Sequence, residues 1–156
     1  MPVQIPEHAI RFRERFAHVE NLLRRAGYVQ QKRRSRALVD WVKFAREFNA
    51  DFFLYVQGSQ QANTLLSEPP RVLDAHITWQ PLNQTPIADV VELFQRGVCQ
   101  VRNNIVHGEK YIDSHDRRDD ELVSQAAWVL EQAIDRHPNA ATIFARLRGK
   151  PAASHA

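Results

Sequence analysis

The chain has 156 residues, is 44% hydrophobic and carries 21 Lys and Arg against 18 Asp and Glu, a net charge of +3. A chain of this length suits one domain, which buries about 70% of its unfolded surface. The single cysteine, Cys99, excludes an internal disulfide and a cysteine-based zinc site. The apolar runs are too short to span a bilayer and residues 1–7 lack a signal-peptide core, so we expect a soluble, cytoplasmic protein.

The first half of the chain shows mainly helical periodicity. Apolar residues recur at three- and four-residue steps from Pro6 to Ala26, and Gly27 ends the pattern. A second helix is predicted over about 35–48, with Asn49 as its stop and an apolar stripe that consists of Leu38, Trp41, Val42, Ala45 and Phe48. The stretch 51–66 has an aromatic run that suits either a buried helix or a strand, and we favour a helix.

Residues 67–86 form the main irregular connection, because prolines there exclude a continuous helix. Thr85 and Pro86 are typical of an N-cap followed by proline at the first helical position, which predicts a long helix reaching Gly108.

The last third of the chain predicts another long helix, over about 116–135, whose acidic first turn suits the helix dipole. Asn139 is a candidate cap for a short helix to Arg148. The expected architecture is therefore all-α, a bundle of four main helices with one or two accessory helices. We expect one domain over residues 1–149 and a flexible tail over 150–156.

Positive charge is concentrated near the N-terminus. Residues 1–36 carry nine Lys and Arg against three Glu. A cluster of this kind neutralises nucleic-acid phosphates, or it is simply a solvated surface. The candidate RNA-binding residues are Arg24, Arg25, Lys32, Arg33, Arg34 and Arg36.

The best candidate for chemistry is the segment 101–108 at the end of the long helix. The sequence has no glycine-rich phosphate loop, no HExxH and no Gly-x-Ser-x-Gly elbow. Arg102, Asn103 and His107 interrupt the apolar stripe. At 100° per residue, Asn103 and His107 lie about 40° apart, whereas Arg102 and His107 lie about 140° apart.

This segment resembles the signature of the HEPN superfamily (higher eukaryotes and prokaryotes nucleotide-binding domains), an Arg-x(4–6)-His motif that often has Asn after the Arg. The resemblance covers Arg102, Asn103, His107 and the following Gly108. It implies an HEPN-like helical bundle and a metal-independent endoribonuclease, often a toxin or an antiviral effector, that acts as a homodimer. It equally allows a non-catalytic module that binds a protein or nucleotide and dimerises.

The residue chemistry agrees with RNA cleavage through attack by the 2′-hydroxyl. Imidazole titrates near neutrality, so His107 suits proton transfer, and Arg102 suits a bidentate grip on phosphate oxygens. Asn103 is expected to orient the phosphate or His107. The structural alternative is that Arg102 and His107 only stabilise the helix end, where cations favour the dipole.

Further expectations concern ligands and partners. His107, His115 and Asp116 do not have a metal-ligand spacing, so we expect no metal and no cofactor. Lys110 is a candidate phosphate contact. Tyr111 lies two residues further from the histidine than the tyrosine that a partner nucleotidyltransferase adenylylates in some HEPN toxins, and it is a candidate for that modification. An antitoxin or a nucleotidyltransferase is thus a possible partner.

A homodimer is expected from geometry, because a two-fold axis can bring two Arg102–His107 segments together. Aromatic residues such as Trp41, Phe44 and Trp79 are a second motive for a dimer, and the alternative is that the core of a single chain absorbs them.

Overall fold

The computed structural model describes residues 4–30, 37–73, 78–80, 85–107 and 116–147, and this part of the chain is all-α, as predicted. Its helices are α1 (Glu7–Arg25), α2 (Trp41–Arg46), α3 (Ala50–Gly58), α4 (Asn63–Ser67), α5 (Val90–Glu92), a π-helical segment (Leu93–Val98), α6 (Cys99–His107), α7 (Arg117–Arg136) and α8 (Ala140–Ile143). Within the described part, β-type pairing is limited to two isolated antiparallel bridges, Val29 with Val39 and Leu73 with Trp79.

The buried side chains form one continuous core. Helices α1, α6 and α7 contact one another, and α2 packs on the π-helical segment. The centre is aromatic: Phe94 stacks with Trp41 at 5.7 Å and with Phe48 at 5.8 Å between ring centroids, while Phe44 meets Phe94 edge to face. These aromatics are buried within one chain, which removes Trp41 and Phe44 as reasons to expect a dimer.

The two helices with the clearest periodicity are confirmed. Helix α1 ends one residue before Ala26, and Gly27 follows with φ +96°, a conformation that glycine adopts without strain. Helix α7 starts after Asp116, whose side chain accepts from the backbone N–H of Asp119, while Asp119 accepts in return from Asp116. This capping box satisfies two exposed helix-end donors.

The second predicted helix is much shorter than 35–48. Helix α2 begins at Trp41, because the Asp40 side chain caps the N–H of Lys43 and Val39 pairs with Val29. Leu38, expected on the apolar stripe, is exposed. Asn49 does not end a helix but begins the next one, since its side chain accepts from the N–H of Asp51.

The ambiguous stretch 51–66 is helical, as favoured, but it is two helices and not one. Helices α3 and α4 are separated by a turn in which Gln60 has φ +67°, a left-handed conformation that interrupts any helix.

The long helix does not start at Thr85 and Pro86. It starts at Val90, where the Asp89 side chain accepts from the N–H of Glu92. Residues before it run in an extended strap whose Ile87 donates its N–H to the carbonyl of Leu66. Gly97 makes room for this strap, because a Cβ there would lie 3.3 Å from Ile87 Cδ1.

The last helix is also shorter than predicted. Helix α8 covers Ala140–Ile143 and turns follow to Leu147, so the expected extension to Arg148 is wrong for the described residues. The Asn139 side chain does not cap it; its Nδ2 donates instead to Tyr28 and Glu47. Gly108 and the predicted tail 150–156 lie outside the described residues.

Candidate functional site

Helix α6 presents the motif residues at the edge of the core. Its buried side, Val101 and Ile105, faces the other helices. Arg102 and Asn103 are half-buried, and His107, the last residue of the helix, is exposed. The buried apolar side chains thus anchor the helix against the core, and the polar residues lie on its flank and outer face.

Arg102 is held by two contacts to α1 and one to its neighbour on α6. Its Nη1 lies 3.4 Å from Glu20 Oε1, its Nε donates to Asn103 Oδ1 at 3.0 Å, and its guanidinium carbon lies 4.6 Å from the centre of the Phe16 ring. Its side chain is 28% exposed. Within the described part, Nη2 has no hydrogen-bond partner, so one edge of the guanidinium is available to an anion.

Glu20 is the partner of Arg102 that the sequence analysis missed. Its Oε2 accepts from Trp41 Nε1 at 3.0 Å while Oε1 faces Arg102, so one carboxylate joins α1, α2 and α6. The available signal was the four-residue step from Phe16 to Glu20, which places this acid beside the buried stripe of α1. The pairing with Arg102, 82 residues later in the chain, had no local signal.

The structure brings Arg102 to Asn103 but not to His107. Helix α6 is regular as far as His107, so the expected 140° between Arg102 and His107 holds for the described backbone. Asn103 lies one turn before His107 on the outer face of α6, and its side chain contacts Arg102 on the flank. Arg102 and His107 of one helix therefore do not converge on one phosphate. A site that uses both needs further side chains of this chain or a second copy of it.

The other flank of α6 carries a short polar chain. Gln100 Nε2 donates to Asn104 Oδ1 at 2.9 Å, and Asn104 Nδ2 donates to the carbonyl oxygen of Arg71 at 3.1 Å. Asn104 thus fixes the segment that follows α4 against α6. It is a structural residue and not a fourth member of the site.

The predicted RNA-binding residues are only partly described. Arg24 is half-buried and Arg25 is exposed in the last turn of α1, where Arg25 Nε donates to Asn21. Lys32, Arg33, Arg34, Arg36, Lys110 and Tyr111 lie outside the described residues. Among the residues that are described, no three His, Cys, Asp or Glu side chains are grouped so as to hold a metal ion. None of the described helices is long and apolar enough to cross a bilayer.

Cys99 lies one helical turn before Asn103 but is not a nucleophile candidate. Burial raises the pKa of its thiol far above the ordinary value, and the nearby Glu20 carboxylate raises it further, against a smaller opposing effect of Arg102. A thiol in this environment stays protonated and unreactive at neutral pH.

A second polar cluster, which the sequence analysis missed, is buried where α2 meets the end of α7. His137 stacks on Phe44 with ring centroids 4.2 Å apart. Its Nδ1 accepts from the N–H of Asn139 at 3.0 Å, so Nε2 carries the proton and faces the carbonyl of Phe44 at 3.1 Å and Glu47 Oε1 at 3.2 Å. The Tyr28 hydroxyl donates to the same Glu47 oxygen.

The pKa shifts of the titratable groups in this cluster favour a structural role. Burial lowers the pKa of His137, and this outweighs the opposite effects of the Phe44 carbonyl and Glu47. Burial also raises the pKa of Tyr28, and its hydrogen bond to Glu47 acts in the same direction. His137 and Tyr28 are therefore both neutral at pH 7, and the chain itself satisfies both ring nitrogens of His137.

Comparison of the chain with family models, with curated proteins and with solved structures found no match. The resemblance to HEPN domains therefore depends on the motif residues and on their placement in the fold.

Proposed function

We propose that the chain is a metal-independent endoribonuclease, with Arg102 and His107 as catalytic residues and Asn103 in support. One observation carries the proposal: the Arg102 guanidinium is fixed by Glu20 and Asn103 with one edge open, while His107 is exposed on the same helix. A fixed cation and an accessible imidazole are the two groups that metal-free RNA cleavage requires.

The reaction starts with the ribose 2′-hydroxyl. His107 takes its proton as the 2′-oxygen attacks the adjacent phosphorus, and Arg102 holds the charge on the non-bridging oxygens. The bond from phosphorus to the 5′-oxygen then breaks, and the protonated imidazole returns the proton to that oxygen. The products are a 2′,3′-cyclic phosphate and a 5′-hydroxyl, and no oxidant or metal takes part.

The proposal includes a homodimer in which Arg102 acts with the partner subunit's His107. Its support is the 140° that separates the two side chains on the regular helix α6. Val106, beside His107, is 52% exposed and gives this end of the helix an apolar surface for a second copy.

The first test compares RNA cleavage by Arg102→Ala and His107→Ala with matched controls. Arg96 is a suitable control because it is 30% exposed, pairs with Glu92 and lies in the same helical run. His18 is an exposed histidine on α1 and controls for His107. We expect the motif variants to lose about 10²- to 10⁴-fold in rate, in buffer with EDTA, while Arg96→Ala and His18→Ala keep full activity.

The same variants test the dimer. When Arg102→Ala and His107→Ala chains are mixed, a mixed dimer has one site with both groups intact, so part of the activity returns. A pair that acts within one chain gives no recovery. Full activity in both single variants with an intact fold would contradict the catalytic assignment of Arg102 and His107. A parent chain that does not cleave RNA would instead favour the non-catalytic binding module, with or without an antitoxin.

A further inference from the structure

A second concave surface lies at the C-terminal end of α1, away from the flank that holds Arg102. It is a groove of about 290 Å³ between α1 and the α8 region. Leu22 and Ile143, both buried, form its floor, and Arg25 and Arg146, both exposed, line it from the two sides. Its volume is near the lower end of the range for small-molecule sites, roughly 300–1,000 Å³.

The arginines of the described chain divide into those with and those without a carboxylate partner. Six of the thirteen pair with a carboxylate: Arg11, Arg15, Arg96, Arg102, Arg117 and Arg118. In the described part, Arg25 and Arg146 have no carboxylate within 4.0 Å, and no Asp or Glu lines the groove. The groove is therefore a local excess of positive charge.

The helix dipole explains part of this arrangement. Arg25 lies in the last turn of α1, where a cation is favourable, and it hydrogen-bonds to Asn21. Arg146 lies beyond α8 and gains nothing from the end of α1. Two guanidinium groups from different elements, above an apolar floor, match a ligand that has both a phosphate and an apolar face.

The position of the groove connects it with the candidate active site. Glu20, which holds Arg102, and Arg25 are five residues apart on α1, about 7.5 Å along the helix axis and about 140° around it. Arg24 lies about 40° around the helix from Glu20, between it and Arg25. A strand that reaches both Arg102 and the groove therefore has to pass around the end of α1, where Arg24 lies.

We propose that this groove binds a single-stranded segment of the RNA substrate, with its phosphates on Arg25 and Arg146 and a sugar or base on the Leu22–Ile143 floor. The inference rests on the proposed function, since it takes RNA as the ligand. It adds a binding site outside the cleavage site that gives affinity without chemistry, because contacts to phosphate neutralise charge and release counterions.

The test measures the affinity of a fluorescent 20-nucleotide single-stranded RNA for the full chain in a His107→Ala background, which prevents cleavage. Each phosphate contact on a single strand contributes about 0.7 to the slope of log K against log salt. For Arg25→Gln with Arg146→Gln, which removes two phosphate contacts, we expect a slope about 1.4 shallower and an affinity about 25-fold lower at 0.1 M salt.

The matched control is Arg11→Gln with Arg117→Gln, which removes the same charge from two exposed arginines that are paired elsewhere. It is expected to keep the affinity and salt slope of the parent. Equal losses in both double variants would show a mere net-charge effect and overturn the proposal, as would an unchanged affinity in the groove variant.

Two further experiments distinguish RNA from other ligands that carry a phosphate. Inorganic phosphate that displaces the RNA at millimolar concentration would reduce the groove to a simple anion site. Vesicles with phosphatidylserine that bind through Arg25 and Arg146, without RNA binding, would make the surface a membrane contact. Each result overturns the RNA assignment. Because the test measures RNA affinity and not cleavage, its result can still be interpreted if the nuclease proposal fails.

Discussion

Two histidines in this chain have opposite surroundings. His107 is exposed at the end of α6, and Asn103 lies one turn earlier on the same face. His137 is enclosed by Phe44, Phe48 and Tyr28, and both its nitrogens are hydrogen-bonded within the chain. The buried histidine has the richer network, yet that network leaves no atom to act on a ligand.

The comparison shows that the number of contacts around a titratable group is a poor guide to chemistry. A group whose donors and acceptors are all used inside the protein stabilises the fold. A group with an open edge, such as the Arg102 guanidinium beside Asn103, is held in place but remains able to bind. The difference can be tested with stability measurements alone.

The largest expected effect is on His137. His137→Ala removes an aromatic ring stacked on Phe44 and leaves the Phe44 carbonyl and the Asn139 N–H without their partner, so the free energy of unfolding falls by about 3 kcal/mol or more. His107→Ala, at an exposed helix end, changes it by less than about 0.5 kcal/mol. Urea unfolding followed by circular dichroism measures both, and similar values for the two variants would contradict the distinction.

A smaller effect is expected at Glu20. Glu20→Ala leaves the indole N–H of Trp41 without its acceptor and Arg102 without its ion pair, and costs about 2 kcal/mol of unfolding free energy. Glu20→Gln keeps an oxygen for Trp41 and costs about 1 kcal/mol. Both lower the cleavage rate under the proposed function, because Arg102 is no longer fixed. If Glu20→Gln lowers the free energy of unfolding as much as Glu20→Ala does, the hydrogen bond from Trp41 Nε1 is not the source of the stabilisation.

The third effect is a pH dependence of stability. The pKa of His137 is lowered in the folded chain, so below the ordinary value of about 6.5 the unfolded chain takes up a proton that the folded chain resists. Stability from this group is complete above that pH and is lost as the pH falls. The facing groups are Glu47, the Phe44 carbonyl and Tyr28, whose raised pKa keeps it neutral throughout.

The measurement is the urea midpoint between pH 8 and pH 5. His137→Gln flattens its decline on acidification, whereas His107→Gln leaves the decline as in the parent chain. A His137→Gln variant with the full decline would place the proton uptake at another group.

Periodicity predicted α1 and α7 to within about one residue, because each buries one stripe along its whole length and ends at a recognisable signal. It failed at α2, where Leu38 fits a helical stripe but is exposed while Val39 pairs with Val29, and at Gln60, which carries no helix-breaking signature. It also placed the start of the long helix at Thr85 and not at Asp89, since two capping residues compete there and only packing of Ile87 decides between them.

The sequence by itself determined that the chain is helical and that Arg102, Asn103 and His107 share one helix, because both follow from neighbours three and four residues apart. Only the tertiary structure decided what those side chains meet. Glu20 reaches Arg102 across 82 residues, and Asn139 reaches Tyr28 across 111. Such contacts depend on how α1, α2, α6 and α7 pack, and packing is set by the shape of the whole core, which no local pattern encodes.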